Sequence, residues 1–488
     1  MTTRSEAIRG ARHLAVAIVA AKGFGFGGQL VLTRVLTQEH FGAFALAISI
    51  VTLLGTLGNF ESRRDILRDP TSAPRRARAY LVLQGSIGVL LAALIVLLGP
   101  SLLAVVPAVR SGNGAVSAAV FLQALCAIPL LEGLRLPALV LVEARGNYRA
   151  IARVEIWAAA VQVVGGIAMA IAGAGTWALV GGFYASAIVR FAGTWWLERG
   201  QCLRERVTRA DFTGVLRFAV PMLAASLLTA WYWKIDDIIV GCGLGLAAAG
   251  LYSIAFELPR AVFQLTEAMS RVALGVLGRR RRDIAAQRRV FGVAVRASFV
   301  LLAPVTLLCL VHGELLLGTV FGSKWVSATP AFQVFCVLVL LRGTFRHWSD
   351  VATTAGRPEF MTRAALAAAV ALPLFSVWGI RHGILGMAFA VLAAWCVPAP
   401  FYLLWIQRRL DMRFRELLGP CALSFVVALG CGILLVELAG GAPGALARCM
   451  IGGIQLAVFG VLLFQTDRGL CGLLLEGLRP RAPAVKET

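Results

Sequence analysis

Apolar runs of about twenty residues recur from one end of the chain to the other, separated by short stretches that carry charge, Gly or Pro. A run of that length crosses a hydrocarbon core of ~30 Å as a helix. The runs lack the period-two alternation of a membrane barrel, so the pattern predicts helices and not strands. Fourteen spans are expected, near residues 14–34, 41–60, 79–99, 116–141, 151–172, 175–197, 213–235, 247–270, 290–311, 328–350, 362–379, 383–406, 417–437 and 445–465. The fold class is an all-α polytopic membrane protein with about 14 transmembrane helices.

The polar joints between spans carry an orientation signal. Placing the N-terminus inside puts 33 of the 47 basic residues in the inner segments and four in or beside the outer ones: Arg110, Lys324, Arg381 and, at a boundary, Lys234. Basic residues gather on the cytoplasmic side of helical membrane proteins. One missed span would invert every later loop and destroy the asymmetry. Both termini are therefore expected in the cytoplasm, with the chain in a bacterial cytoplasmic (inner) membrane. The opening MTTRSEAIRGARHLAVAIVAA is basic and then apolar without a small-residue cleavage site, and reads as a tail entering the first span.

Two pairs of segments repeat. QALCAIPLLEG (123–133) matches QVFCVLVLLRG (333–343) at an offset of 210, with Gly146 and Gly356 continuing the match. GAFALA (42–47) matches GLYSIA (250–255) at an offset of 208. Each pair lies six spans apart, which predicts a duplicated six-helix unit. An even number of spans gives the copies one orientation, related by an axis along the membrane normal. The expected organisation is two pseudo-symmetric six-helix lobes plus two C-terminal helices. The N-lobe covers 1–205, the C-lobe 206–410, and 411–488 holds the last two spans and a cytoplasmic tail. Secondary transporters bind substrate between such halves.

Composition narrows the function. Hydrophobic residues make up 59% of the chain and charged residues 15%, against roughly 25% in soluble domains. The net charge of +22 is dispersed over short loops, which argues against nucleic acid. Only Lys22, Lys234, Lys324 and Lys486 are lysines; the rest of the basic residues are Arg. The ten cysteines form no CxxC pair, and His13, His40, His312, His347 and His382 show no metal spacing. No outer loop is long enough to fold into the extramembrane domain that a membrane glycosyltransferase or polymerase needs, so no enzyme and no cofactor is expected. RRRR (279–282) reads as an orientation signal touching anionic lipid.

Charge within a bilayer marks a partner or a wet cavity. Glu132 with Arg135 and Glu257 with Arg260 are spaced i,i+3; Arg342 and Arg346 are spaced i,i+4 and share a helix face. The repeat of 123–133 in 333–343 places Glu132 and Arg342 at equivalent positions. Two guanidinium groups on one face suit a phosphate or diphosphate, whose geometry Arg matches with paired donors. The candidate substrate-binding residues are Lys22, Arg135, Arg260, Arg342 and Arg346. The candidate gate or coupling residues are Glu132, Asp236, Asp237 and Glu257. Structural ion pairs and snorkelling to headgroups are the alternative reading of these groups. Lys234, Asp236 and Asp237 in WYWKIDDIIVG (231–241) read as an ion pair, a sugar-hydroxyl acceptor, a gate contact or a solvated helix end. KGFGFGG (22–28) has no strand–turn–helix setting for a dinucleotide. Its Gly23 and Gly27 form a small-xxx-small pair for close packing, or a flexible point.

LTRVLTQEHFGAFALAISIVTLLGTLG (32–58) and LRFAVPMLAASLLTAWYWKIDDIIVGCGLGLAAAGLYSIAFELPRAVFQL (216–265) resemble the Wzx-type polysaccharide exporters of the multidrug/oligosaccharidyl-lipid/polysaccharide superfamily. The family's marks fall here on Pro221, on Asp236 or Asp237, on Gly241 with Gly245, and on Gly250, Tyr252 and Ala255. The likeness spans about residues 10–410. Many members have twelve spans, and Lys234 beside the aspartates departs from the pattern. The resemblance implies a lipid-linked oligosaccharide substrate, flipped between leaflets by alternating access, with polysaccharide polymerase or chain-length proteins as partners. The coupling ion stays open between H⁺ and Na⁺. Rivals are a lipid II flippase and a multidrug/cation antiporter, the latter expected to have an acid-dominated cavity.

Overall fold

The computed structural model describes residues 23–58, 60, 62–68, 72–104, 114–279, 283–357, 359–412, 414–440 and 444–467. Lys22 and three arginines of the 279–282 run lie outside these residues. The described residues hold helices and no strand, as the hydropathy pattern requires.

Helix α1 covers 23–35. There follow α2 (Gln38–Gly55), α3 (Ser62–Arg68), α4 (Ala73–Ala104), α5 (Gly114–Ala124), α6 (Ile128–Ala144), α7 (Tyr148–Ile171), α8 (Thr176–Glu198), α9 (Gln201–Arg204), α10 (Arg209–Leu244) and α11 (Leu246–Arg279). The remainder are α12 (Ile284–Val320), α13 (Thr329–Phe345), α14 (Trp348–Thr354), α15 (Glu359–Gly379), α16 (Gly383–Cys396), α17 (Ala399–Leu410), α18 (Phe414–Leu438) and α19 (Ala445–Thr466). Ten helical stretches among the described residues are long and apolar enough to cross a membrane, one of them the 52-residue stretch Glu359–Leu410, which covers two expected spans. Side chains such as Trp196, Leu446, Leu438, Ile171 and Leu97 are more than two-thirds exposed, an apolar surface suited to hydrocarbon.

Local chemistry sets the helix starts. Thr37 opens α2 with a capping box: its hydroxyl accepts the His40 N–H while His40 Nδ1 accepts the Thr37 N–H, both at 3.3 Å. Thr208 and Asp211 do the same for α10. Pro129 and Pro330 stand in the first turns of α6 and α13, where a missing N–H costs nothing. Helix α12 leaves helical dihedrals at His312 (φ −114°, ψ 21°), downstream of Pro304.

The described residues divide into two compact units. The first runs through Ser253 and includes Val320–Trp325 and Leu372–Met387; the second comprises Ile254–Thr319, Val326–Ala371 and the chain from Ala388 on. In the first unit α2 packs with α5, α8 and α10 around Leu46, Val51, Leu122, Leu125 and Val180. A separate core joins α3, α4, α6 and α10 through Ile66, Tyr80, Val140 and Val215. In the second unit Leu277, Phe291, Val295, Val351, Ile406 and Leu410 form a core, and α18 lies along α19.

The glycine run near the start packs differently from the expected small-xxx-small pair. A Cβ built on Gly23 or Gly27 meets nothing within 4 Å among the described residues, whereas one on Gly28 lies 2.5 Å from the Val163 side chain. Close packing at this point therefore falls on Gly28, which faces α7.

Candidate functional site

In the first unit, α10 carries Lys234, Asp236 and Asp237 into two separate polar contacts. Consecutive helix positions diverge by about 100°, so adjacent aspartates meet different neighbours. Asp237 accepts a hydrogen bond from the Ser49 hydroxyl of α2 at 3.0 Å and pairs with Lys234 Nζ at 3.3 Å. Lys234 Nζ also lies 3.5 Å from Ser49 Oγ. Asp236 turns the other way, toward α11, where the buried Tyr252 phenol donates to it at 2.9 Å. The second Asp236 oxygen is buried without a hydrogen-bond partner among the described residues. Of the readings open for these charges, a local ion pair describes Lys234 with Asp237, and Asp236 is held by a phenol instead of a cation.

Glu132 and Arg135 in α6 pair with each other at 2.9 Å. Arg135 also lies 3.7 Å from Glu155 of α7, and Arg190 of α8 reaches the same carboxylate at 3.1 Å. The result is an alternating chain of two guanidiniums and two carboxylates across three helices. Such a network neutralises itself, and it can hold an additional anion only by trading one carboxylate contact for another.

The second unit contains the candidate cations Arg260, Arg342 and Arg346. Glu257 and Arg260 in α11 are 3.7 Å apart, and Arg260 lies over the Phe256 ring at 5.3 Å. One helix turn on, Phe263 carries two guanidiniums, Arg342 at 5.4 Å and Arg346 at 5.5 Å from its centroid. The i,i+4 spacing on α13 thus puts both arginines on one ring of α11. Small residues allow the approach: a Cβ on Gly343 would lie 2.4 Å from Leu302 and 3.1 Å from Thr266. Arg346 also pairs with Glu267 at 3.3 Å, while its buried Nε has no acceptor among the described residues. A guanidinium resting on an aromatic face keeps its in-plane donors for a second partner and is more weakly hydrated than an ammonium. A planar, donor-rich cation held this way is suited to an oxyanion. Among the described residues no three His, Cys, Asp or Glu side chains gather as metal ligands.

Residues 31–330, which carry the first-unit clusters and α11, match the family model described as "Polysaccharide biosynthesis protein". The chain belongs to this polysaccharide biosynthesis family. Two curated relatives are similar over nearly their whole length. The succinoglycan biosynthesis transport protein ExoT of Rhizobium meliloti is 24% identical over 93% of this chain and 92% of its own. The lipopolysaccharide biosynthesis protein WzxC of Escherichia coli is 22% identical over 88% of this chain and 87% of its own. Among solved structures, the lipid II flippase MurJ in an inward closed conformation superposes with a TM-score of 0.77 at 10% identity, covering 94% of this chain and 99% of that one. The fold is therefore the one seen in the lipid II flippase, and the relative ExoT is described as a transport protein.

For a member of this polysaccharide biosynthesis family, the sequence signals were uneven. The i,i+3 pairs Glu132–Arg135 and Glu257–Arg260 are visible in the spacing. Ser49, Tyr252 and Phe263, which hold Asp237, Asp236 and the two arginines, are not. An uncharged serine, tyrosine or phenylalanine in an apolar helix shows its role only when the neighbouring helix is known.

Proposed function

We propose that the protein flips an undecaprenyl-diphosphate-linked oligosaccharide from the cytoplasmic to the periplasmic leaflet of a bacterial inner membrane, by alternating access, for surface or exopolysaccharide synthesis. The observation that carries the reading is the stack of Arg342 and Arg346 on Phe263, with a buried Arg346 Nε that has no acceptor among the described residues. A diphosphate offers bidentate oxygens to such donors, and it can compete with Glu267 for Arg346. The membership of the family and the transport role in the name of ExoT support the same reading. In this scheme Arg260 and Arg135 are secondary cation positions. Glu132, Glu257, Asp236 and Asp237 serve the change of state, and Lys22 belongs with the cations of the first span. Polymerase and chain-length proteins would act on the flipped product.

The mixed-to-basic character of these clusters distinguishes the reading from a cation antiporter. A lipid II flippase shares the diphosphate chemistry and differs in the sugar. The test is expression in a strain defective in capsule or exopolysaccharide export, with lipid-linked repeat units assayed in each leaflet. Arg342→Ala and Arg346→Ala are expected to leave repeat units on the cytoplasmic side while the protein stays in the membrane at normal amount. Normal export by both variants removes the arginines from the site. Restoration of lipid II translocation without export of repeat units would replace the substrate.

A further inference from the structure

In the second unit two helical stretches meet along one stripe. Helix α11 presents Phe263, Glu267 and Ser270 at successive turns, and α13 with α14 presents Arg342, Arg346 and Asp350 in the same way. They meet in order. Phe263 carries Arg342 and Arg346, Glu267 accepts from Arg346 Nη1 at 3.3 Å, and the Ser270 hydroxyl donates to Asp350 at 2.8 Å. Ser270 thus holds the carboxylate one turn beyond Arg346, and Glu267 is the one that meets the guanidinium. The Arg346 carbonyl accepts from the Ser349 N–H at 3.1 Å and from the Ser349 hydroxyl at 2.9 Å. The backbone at Arg346 is therefore tied to α14, and a change of partner there needs only the side chain.

A pair that serves stability looks different in this chain. In the first unit Arg76 Nη1 donates to one Asp65 oxygen at 2.7 Å, and the Tyr80 hydroxyl donates to the other at 3.1 Å. That carboxylate is buried with a donor on each oxygen, its side chain 4% exposed. Glu267 has one donor among the described residues, at a longer distance, and its side chain is 38% exposed. Its contact leaves Arg346 Nε buried and without an acceptor among the described residues. A buried donor left unpaired is destabilising. A half-exposed carboxylate leaves its partner at low cost, because water takes the partner's place.

A diphosphate brings what Glu267 does not. One of its oxygens can replace Glu267 at Nη1 while another reaches Nε, the paired arrangement that a guanidinium edge favours. Arg342 on the same ring adds a second cation. The Phe263 ring keeps both guanidinium planes in place whichever anion sits at their edges. A displaced Glu267 turns to water and stays within a side chain's length of Arg346. It is then in place to retake the cation when the diphosphate leaves. Without it, departure of the diphosphate would strand a part-buried guanidinium, a costly state that holds the anion back.

We infer that Glu267 is the internal counter-ion of this site: the diphosphate displaces it from Arg346 on entry, and it displaces the diphosphate on exit. It is a positioning residue that acts through Arg346, and it sets how readily the anion is released. The identity of the anion rests on the function proposed above.

The test uses the full chain in nanodiscs, with geranyl diphosphate as the probe and empty nanodiscs as the blank. Isothermal titration calorimetry reads the affinity. Glu267→Gln keeps the shape and removes the charge, and is expected to bind the probe about threefold or more tighter than the wild-type chain. If that variant does not fold, Glu267→Ala serves with the same expected sign. In an Arg346→Ala background Glu267→Gln should bring no tightening, because its partner is gone. In the leaflet assay, with lipid-linked repeat units in excess, maximal export by Glu267→Gln should fall several-fold. A residue that only holds the helices together would lose affinity and export together when removed; a counter-ion moves them in opposite directions. Unchanged or weaker binding in Glu267→Gln overturns the inference, as does equal tightening in the Arg346→Ala background. Tighter binding with maximal export unchanged or faster overturns the release role. Tightening through Arg346 in a chain that exports no glycan defeats the proposed function and leaves Glu267 as the counter-ion of an anion site. Export that Arg342→Ala and Arg346→Ala impair, without tightening in Glu267→Gln, defeats the role of Glu267 alone.

Discussion

Gly42 and Gly250 meet back to back. A Cβ built on Gly42 would lie 1.7 Å from the Leu246 carbonyl oxygen and 2.9 Å from the Gly250 nitrogen. One built on Gly250 would lie 2.0 Å from the Gln38 carbonyl oxygen and 3.1 Å from the Gly42 nitrogen. The contact is reciprocal: each glycine touches the other and the residue four positions before the other. Reciprocity of this kind is the mark of two-fold related surfaces. Here the two surfaces are the first residues of GAFALA and GLYSIA, the repeated segments.

Backbone meets backbone at this crossing, so no side chain can move aside. Gly42→Ala and Gly250→Ala are each expected to destabilise the protein by about 1–3 kcal/mol or more, the usual cost of overpacking. Gly165→Ala, where a Cβ meets nothing within 4 Å, is the control. A helical Gly→Ala change in open space should be neutral or gain up to about 1 kcal/mol. Thermal unfolding of the purified variants measures both. Equal melting temperatures for Gly250→Ala and Gly165→Ala would show that the crossing is not tight.

Lys234 and Asp237 provide a second test, because Ser49 contacts both. Removing the cation leaves a carboxylate with only a hydroxyl for company. Lys234→Met is expected to cost about 3–5 kcal/mol, the range for breaking a buried pair, reduced by the part exposure of both groups. Lys234→Met with Asp237→Asn should recover most of that loss. A double-mutant cycle read by thermal unfolding gives the coupling. Additive losses would mean that the two charges are solvated separately.

These two sites differ in how much of them the amino-acid sequence displays. Helices are legible because an apolar run in lipid must satisfy its own backbone. Where the expected spans fall among the described residues they lie mainly on helix, and ten helical stretches there meet the length and apolarity of a span. Gly42 and Gly250 were marked by the repeat, though not as partners. Local charge pairs follow from helical spacing. Glu155 with Arg190, Glu267 with Arg346, and Asp236 with Tyr252 could not be read, since each joins residues from different helices. Which faces of two helices meet is decided by packing, and hydropathy is silent about it.

Phe263 organises the arginine stack without any charge of its own. Phe263→Leu keeps an apolar side chain of similar bulk and removes the ring face beneath Arg342 and Arg346. Each cation–π contact is worth about 0.5–2 kcal/mol, according to its exposure. The expected outcome is a several-fold fall in export by the leaflet assay, with protein amount and melting temperature near those of the wild-type chain. Export at the full rate would show that the ring only fills space.

Cys202 lies in the short helix α9, between two expected spans, and is fully buried. Burial pushes its thiol up to about 12, with the nearby Glu198 carboxylate, bonded to the Cys202 backbone N–H at 2.6 Å, adding to the effect. The thiolate is the reactive form, so the folded protein presents almost none of it at neutral pH. A maleimide should leave Cys202 unmodified in native membranes and label it once the protein is denatured. Peptide mass mapping before and after denaturation reads the difference. Raising the pH to about 9 should still leave it unlabelled, because that remains well below the pKa and the side chain stays covered. Glu198→Gln removes the carboxylate charge that opposes ionisation and keeps an oxygen for the backbone N–H. Its thiol should ionise at lower pH yet stay protected while the core of Ile66, Tyr80 and Val140 holds. Labelling of Cys202 in the native wild-type chain would mean that this core opens on the time scale of the reaction.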